Sequence, residues 1–382
     1  MSEIMQRSNA HHAPSFEEAS TPRQKAFAAG FDPAYWYAVE LDSKIAKGQR
    51  IEVRFQGISV AVFRGQDGKL GAIENRCPHR QVKLSDGDVK GCALACKYHG
   101  WAFDTEGKLV AGGQHFQEKG LPNLRLRRYP VEVKYGLVFV FFGDPAFASE
   151  RPLPTIPVLE GPNPWLAIPI EYQMRCHPTA YVNNVMDSTH VPALHTKLNT
   201  RSMIYGPVTR CEAEGDSVVV SHSIELDPTG LLKYLVGTIE QPTQDAYYEY
   251  PYLHVHVGGV LELWNFMLPV DGEVTKLFLL SCSKGIQIPG LDVTPPKALL
   301  DPFLAIAKRI LVKPLFDEDV WSTEAEQKGY EEHFATPAIE PHPPIRLCYQ
   351  LTIRKWEEYL ARQGQASRTI APEAPAADEA AE

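Results

Sequence analysis

The 382-residue chain has no run of eighteen consecutive apolar residues, roughly the length a helix needs to cross the hydrocarbon core of a bilayer. No transmembrane helix is expected. Its first twenty residues are polar and lack the apolar block of a secretory signal, so the default location is the cytoplasm. Positive charge is short as well: 38 Lys and Arg stand against 47 Asp and Glu, a formal net charge of −9. That balance argues against nucleic acid or an anionic membrane as partner. Cysteine is sparse, at 7 residues. Five of them (Cys92, Cys176, Cys211, Cys282 and Cys348) are scattered and odd in number. In a reducing compartment these read as buried thiols rather than a disulfide framework. Periodic apolar positions are missing from residues 1 to about 20, and the stretch from Gly364 to Glu382 is mostly Ala, Pro and Glu. Neither can bury enough surface to offset its ordering entropy, so both ends are expected to be disordered, with His11 and His12 in the first. What remains is ordinary globular material, 44% hydrophobic and 22% charged, enough for two domains.

Within it stand Cys77-Pro78-His79 and, further on, Cys96-Lys97-Tyr98-His99-Gly100-Trp101. The order Cys, His, Cys, His does not fit a zinc finger, which places two cysteines before two histidines. It suits a two-iron cluster with thiolates on one iron and imidazoles on the other, a Rieske [2Fe–2S] site held by Cys77, His79, Cys96 and His99. The extra loop cysteines and membrane anchor of a respiratory Rieske subunit are not seen. From Trp36 to about Pro145 the pattern is one of short strands: Arg50 to Phe55 and Ile58 to Phe63 flank Gln56-Gly57, Leu70 to Glu74 follows, and Val131 to Val133 and Leu137 to Phe142 flank Tyr135-Gly136. Two ligand loops at one end of such a sheet can bring the histidines to the surface while the thiolates stay covered. Trp101 is placed to shield the cluster or simply to pack in the core.

A proline-rich stretch over residues 146–165 forms a stiff connector and marks a domain boundary. Beyond it a strand is expected over Leu166 to Met174, and a helix with Pro178 in its first turn running to about Thr189. That helix leads into Asn183, Asn184, Asp187, His190 and His195. Asp187 and His190 are three apart and share a helix face, with Asn183 one turn earlier. Pro192 should distort the turn between the two histidines and let them converge on one ion. Alone, the pair would read as histidines in a polar core network. Beside a one-electron centre, two histidines and a carboxylate read as the open-faced site of a non-haem Fe(II) oxygenase.

With both constellations present, the chain resembles the catalytic α subunit of Rieske non-haem iron oxygenases from about Trp36 to Leu360. Asp187-x2-His190-x4-His195 fits that family's second motif. The resemblance implies that His190 and His195 bind the mononuclear iron and that Asp187, counted with Asn183 as catalytic, bridges to a Rieske histidine of a neighbouring subunit. Trimer assembly would then be a condition of turnover. The segment Phe316-Asp317-Glu318-Asp319 to Gln327 looks like the third-ligand segment of vanillate-demethylase-like members. On that alignment Asp319 is the ligand and Asp317 its rival, although acidic residues at a helix start also complement the macrodipole. Lys97 stands where many relatives have proline, and a cation there would raise the cluster's potential.

The expected fold is α+β. Residues 1–35 form a partly disordered segment, 36–145 a small antiparallel β Rieske domain, 146–362 a catalytic mononuclear iron domain, and 363–382 a disordered tail. The catalytic domain should hold a curved antiparallel sheet, including Ser217 to Ile224, Tyr252 to Val257, Val260 to Leu268 and Leu277 to Cys282. Helices near Leu299 to Val312, Phe316 to Gln327 and Ile345 to Arg362 should cover it. Leu261, Trp264, Phe266 and Met267 are candidates to line the substrate pocket, or plain core. His254 and His256, two apart on one strand, would face one side as hydrogen-bonded histidines or a further metal site. The family resemblance implies a terminal oxygenase that hydroxylates or oxidatively demethylates a small organic substrate, aromatic ones among the candidates. Its electrons would come from a ferredoxin or a flavin-containing reductase fed by NAD(P)H. The vanillate-type segment favours monooxygenation over a cis-dihydroxylating dioxygenase. A bare Rieske electron carrier would leave Asp187, His190 and His195 without purpose.

Overall fold

A computed structural model of the chain describes residues 12–116, 120–195, 203–226, 241–284, 309 and 313–369. His11, nearly all of the helix expected over Leu299 to Val312, and the tail beyond residue 369 lie outside the described residues. A short helix, α1 (Pro22–Ala28), comes first and is not anticipated by the sequence reading. Thr21 and Gln24 close it reciprocally: the Gln24 backbone N–H donates to Thr21 Oγ1, and the Thr21 N–H donates to Gln24 Oε1, both at 3.2 Å.

The small β region follows. Its strands are β1 (Trp36–Leu41), β2 (Arg50–Phe55), β3 (Ile58–Arg64), β4 (Leu70–Glu74), β5 (Asp88–Lys90), β6 (Ala93–Ala95), β7 (Trp101–Phe103), β8 (Leu109–Gly112), β9 (Val131–Lys134) and β10 (Leu137–Phe141). They pair into three antiparallel sheets ordered β1-β10-β9, β2-β3-β4 and β5-β6-β7-β8. Both hairpins expected from the sequence form. Gln56-Gly57 (φ 44° and 85°) and Tyr135-Gly136 (φ 53° and 75°) take positive φ at both positions, the turn whose twist matches that of paired strands.

The second region is built on β11 (Leu166–Met174), helices α2 (Pro178–Met186) and α3 (Val191–Leu194), and strands β12 (Met203–Glu214), β13 (Ser217–Leu226), β14 (Thr243–Glu249), β15 (Tyr252–Val257), β16 (Leu261–Pro269) and β17 (Thr275–Ser283). Helices α4 (Lys313–His333) and α5 (Pro343–Thr369) close the described chain. The strands make one seven-stranded antiparallel sheet, ordered β11-β17-β16-β15-β14-β13-β12. The fold class is thus α+β, a small antiparallel β unit beside a large sheet with helices. Among the described residues no helix is long and apolar enough to cross a membrane.

Alternation along β16 gives the large sheet two duties. Phe266 meets Phe139 of β10 edge to face, with ring centroids 5.4 Å apart. Its cross-strand neighbour Tyr252 donates its hydroxyl to the Trp36 carbonyl at 2.7 Å. Burying rings of this size is worth on the order of 2 kcal/mol each, so this face fastens the sheet to the small unit. The other face meets the helices: Tyr181 of α2 donates to Asn265 Oδ1 at 2.8 Å, and the hydroxyls of Tyr248 and Thr352 on α5 lie 3.0 Å apart. The four pocket candidates therefore separate. Leu261 and Met267 share the helix-facing side with Asn265. Trp264 and Phe266 point the opposite way, and Trp264 stacks on His254 with centroids 4.2 Å apart. One apolar core runs from Phe27 through Phe139 to Phe278, and a second, around Phe63, Leu94 and Phe103, lies beneath the ligand loops.

Candidate functional site

The two loops that carry the Cys/His motif close in the same way. In the first, the Cys77 N–H donates to Val82 O at 2.9 Å and the Gln81 N–H to Cys77 O at 2.8 Å. In the second, the Cys96 N–H donates to Trp101 O at 2.8 Å and the Gly100 N–H to Cys96 O at 3.0 Å. Gln81 (φ 59°) and Gly100 (φ 71°) hold the corresponding left-handed position. Each cysteine thus sits at the base of an identical loop, with a histidine two or three residues on. Cys77 and Cys96 are 2% and 3% exposed, while His79 and His99 are half-buried with ring centroids 4.5 Å apart. Trp101 lies flat against His79 at 4.9 Å. Burial, with Cys96 alongside, pushes the Cys77 thiol up, while the backbone N–H groups of His79 and Arg80 work the other way. Paired buried sulfurs facing amide donors, with two imidazoles nearer the surface, fit a cluster whose thiolate iron is covered and whose imidazole iron is reachable.

The second set is assembled from two distant segments. Helix α2 stops at Met186, three residues before the expected end, because Asp187 leaves helical geometry (φ −111°, ψ 80°). Its carboxylate then caps the next turn, accepting from the Thr189 N–H at 3.1 Å and the Thr189 hydroxyl at 2.5 Å. The chain therefore breaks at Asp187, and Pro192 begins the short α3 rather than causing the bend. His190 and His195 meet at 5.3 Å between ring centroids. Nδ1 of His190 lies 2.6 Å from the Asp187 carbonyl, which only accepts, so Nδ1 carries the proton and Nε2 is left as the donor atom. His195 is held likewise, Nδ1 against Glu318 Oε2 at 3.2 Å.

Both Nε2 atoms face one carboxylate oxygen: Asp319 Oδ1 lies 3.4 Å from that of His190 and 3.3 Å from that of His195. One ligand atom from each of the three residues falls within 4.8 Å of the others, and among the described residues this is the only such group of His, Cys, Asp and Glu. Lone pairs converging on a buried carboxylate repel unless a proton or a cation lies between them. Without an ion, a proton taken up on an imidazole Nε2 would relieve that repulsion. Burial would raise the Asp319 carboxyl, but hydrogen bonds from His190 and His195 outweigh it and hold it below the usual range. Burial would lower His195, but Asp319 and then Glu318 raise it. A divalent ion would displace that proton, and two imidazoles with one carboxylate suit Fe(II) with coordination positions to spare.

The neighbours are less as expected. Asp317 is turned out to solvent and pairs with Lys313 at 2.6 Å. Asn183 faces away from the three, its amide donating to Glu326 Oε1 at 2.8 Å and to the Tyr349 hydroxyl at 3.0 Å. Asn184 is the one that reaches the group, 3.3 Å from Asp319 Oδ1 and 3.1 Å from the Ser322 hydroxyl. A cleft of about 230 Å³ opens beside it, lined by Asn183, Asn184, Asp187, His190 and Glu326 among others. His254 and His256 do face one side of β15, but His254 Nδ1 lies 3.1 Å from His256 Nε2, with Glu249 and Glu262 at either end. The two histidines pair with each other, and among the described residues no third ligand converges on them.

Two unlike donor sets on one chain, sulfur with imidazole and imidazole with carboxylate, are the equipment of an enzyme that separates electron entry from oxygen chemistry. The pattern of the Rieske [2Fe-2S] domain matches residues 35–129. The 4beta-methylsterol monooxygenase of Methylococcus capsulatus is 37% identical over 363 residues, 94% of this chain and 96% of that one. The vanillate O-demethylase oxygenase subunit of a Pseudomonas species is 32% identical over 168 residues, 44% of this chain and 46% of that one. Dicamba monooxygenase with non-heme iron and dicamba superposes with a TM-score of 0.65 at 20% identity, covering 88% of this chain and 100% of that one. The oxygenase of carbazole 1,9a-dioxygenase in its ferredoxin complex gives 0.66 at 18%, covering 92% and 96%. The chain belongs to the Rieske oxygenases. It is a terminal oxygenase, an enzyme and not a bare electron carrier.

Proposed function

We propose that the protein inserts one oxygen atom into a methyl group of a sterol-like substrate, with electrons delivered by a ferredoxin or a flavin-containing reductase that NAD(P)H feeds. The observation that carries this reading is the convergence of His190, His195 and Asp319 on one point, within 4.8 Å. The substrate class rests on identity to a methylsterol monooxygenase that runs through 94% of the chain, where the demethylase match spans 44%.

In this reading Cys77, His79, Cys96 and His99 hold the cluster, and His190, His195 and Asp319 hold the iron. When bound, the cluster supplies electrons singly and the iron supplies the oxygen chemistry. The side chains prepare for both. Nδ1 of each iron-site histidine is engaged, so only Nε2 can turn inward. Asn184 steadies Asp319 from outside. We place the apolar body of the substrate on the helix-facing side of the sheet, the side that carries Leu261 and Met267. Asp187 lies half-buried at the cleft, and we place it against a Rieske histidine of a second copy in a homotrimer. None of the seven cysteines is paired in a disulfide, and we place the protein in the cytoplasm.

The test is turnover of a 4-methyl sterol with NADH and a surrogate reductase under ¹⁸O₂. The expected product is a hydroxymethyl sterol carrying a single labelled oxygen. A cis-diol with two labelled oxygens would overturn monooxygenation. Oxidation of aryl methyl ethers with sterols untouched would overturn the substrate class.

A further inference from the structure

His195 lies between two consecutive carboxylates of α4. Glu318 Oε2 is 3.2 Å from its Nδ1 and Asp319 Oδ1 is 3.3 Å from its Nε2. Neighbouring helix residues point about 100° apart, which lets the pair straddle one imidazole ring. The arrangement is enclosed: the side chains of His195, Glu318 and Asp319 are 5%, 12% and 10% exposed. His190 is supported differently, its Nδ1 held by the Asp187 peptide carbonyl at 2.6 Å. Asp319 stands near both Nε2 atoms.

A peptide carbonyl fixes the tautomer and orientation of an imidazole. A carboxylate does so too, and also makes the far nitrogen a stronger donor. We propose that Glu318 is a positioning residue of the metal centre: its anionic carboxylate locks His195 with Nε2 inward and strengthens that nitrogen as a ligand, leaving His190 the weaker of two unequal imidazoles. The inference rests on the reading of His190, His195 and Asp319 as the set that holds the metal. It assigns Glu318 no contact with substrate or metal.

The experiment uses cluster-loaded protein from which the mononuclear site has been emptied by chelation, titrated anaerobically with Co(II) and followed by its visible ligand-field bands. Far-ultraviolet dichroism and the cluster spectrum report folding. Glu318→Ala should bind Co(II) about 10–100-fold more weakly than the parent. Glu318→Gln, which keeps an acceptor but no charge, should fall between them with shifted bands, and Asp317→Ala should match the parent. Parent affinity and bands in both Glu318 variants overturn the proposal. So does loss of Co(II) binding in Glu318→Ala with retention in Asp319→Ala, which would make Glu318 the ligand. If the parent binds no Co(II), the reading of the centre falls and the proposal with it.

Discussion

Asp187 serves His190 through its backbone and Thr189 through its side chain: the carbonyl oxygen lies 2.6 Å from His190 Nδ1, and the carboxylate accepts from the Thr189 N–H at 3.1 Å. Replacing it with alanine therefore does two things at once. Asparagine can cap the same turn without the charge. Asp187→Asn should keep both metals and lose most turnover, whereas Asp187→Ala should also lose about 1 kcal/mol of local stability and bind mononuclear metal more weakly. Iron analysis beside oxygen uptake separates the two, and near-parent uptake in Asp187→Asn would sink the relay role.

Asp319 and Asp317 differ by two residues and by nearly everything else. The first is 7% exposed against two histidines, while the second is paired with Lys313 in solvent. Asp319→Ala should lose the iron beyond the cluster's two, with the cluster spectrum unchanged. Asp317→Ala should keep it and change stability by no more than about 0.5 kcal/mol. Inductively coupled plasma analysis of purified protein reads both.

His177 gives the fold an acid limit. It is 6% exposed, its Nε2 donates to Ala29 O at 2.9 Å, and its Nδ1 accepts from the Thr179 N–H at 3.2 Å at the start of α2. Burial pulls its pKa down to about 4. The neutral ring is the native form, so its contribution is whole above the unfolded value near 6.5. It is lost as pH falls from there to about 4, by about 3 kcal/mol in all, and levels off below. His177→Asn retains a cap without a titrating ring. Its unfolding free energy should depend less on pH than the parent's in that window, and parallel curves would refute the assignment.

Gln81 and Gly100 occupy matching places in the two ligand loops, both left-handed. A Cβ on Gly100 would meet nothing within 4 Å, so Gly100→Ala carries only the backbone penalty, about 1 kcal/mol. Gln81→Gly should be close to neutral, since relief of that penalty is offset by a freer unfolded chain. Bleaching of the cluster's visible band in denaturant measures both.

Much of this was legible from the chain, for physical reasons. The cluster donors are packed into two short loops, and local spacing reports local geometry. The hairpins at Gln56-Gly57 and Tyr135-Gly136 are equally local. Helix α1 was missed although its signal is local, since Thr21-Pro22-Arg23-Gln24 is a capping box. Strands β12 and β14 carry polar residues such as Arg210, Glu212, Gln244 and Asp245, which weaken the apolar alternation that marks a strand. Parity alone separates the four pocket candidates, since 264 and 266 cannot share a face with 261 and 267. Glu318 was not legible. Its partner lies 123 residues away, and among three consecutive acids only the phase of α4 against α2 decides which one meets which nitrogen.

Strand β16 is a party wall. Its even-numbered side chains are keyed to the small β unit through Phe139, and its odd-numbered ones look towards α2 through Asn265. Side chains trimmed at Leu261, Leu263 or Met267 thus leave the joint between the two halves intact. A change at Phe266 loosens that joint.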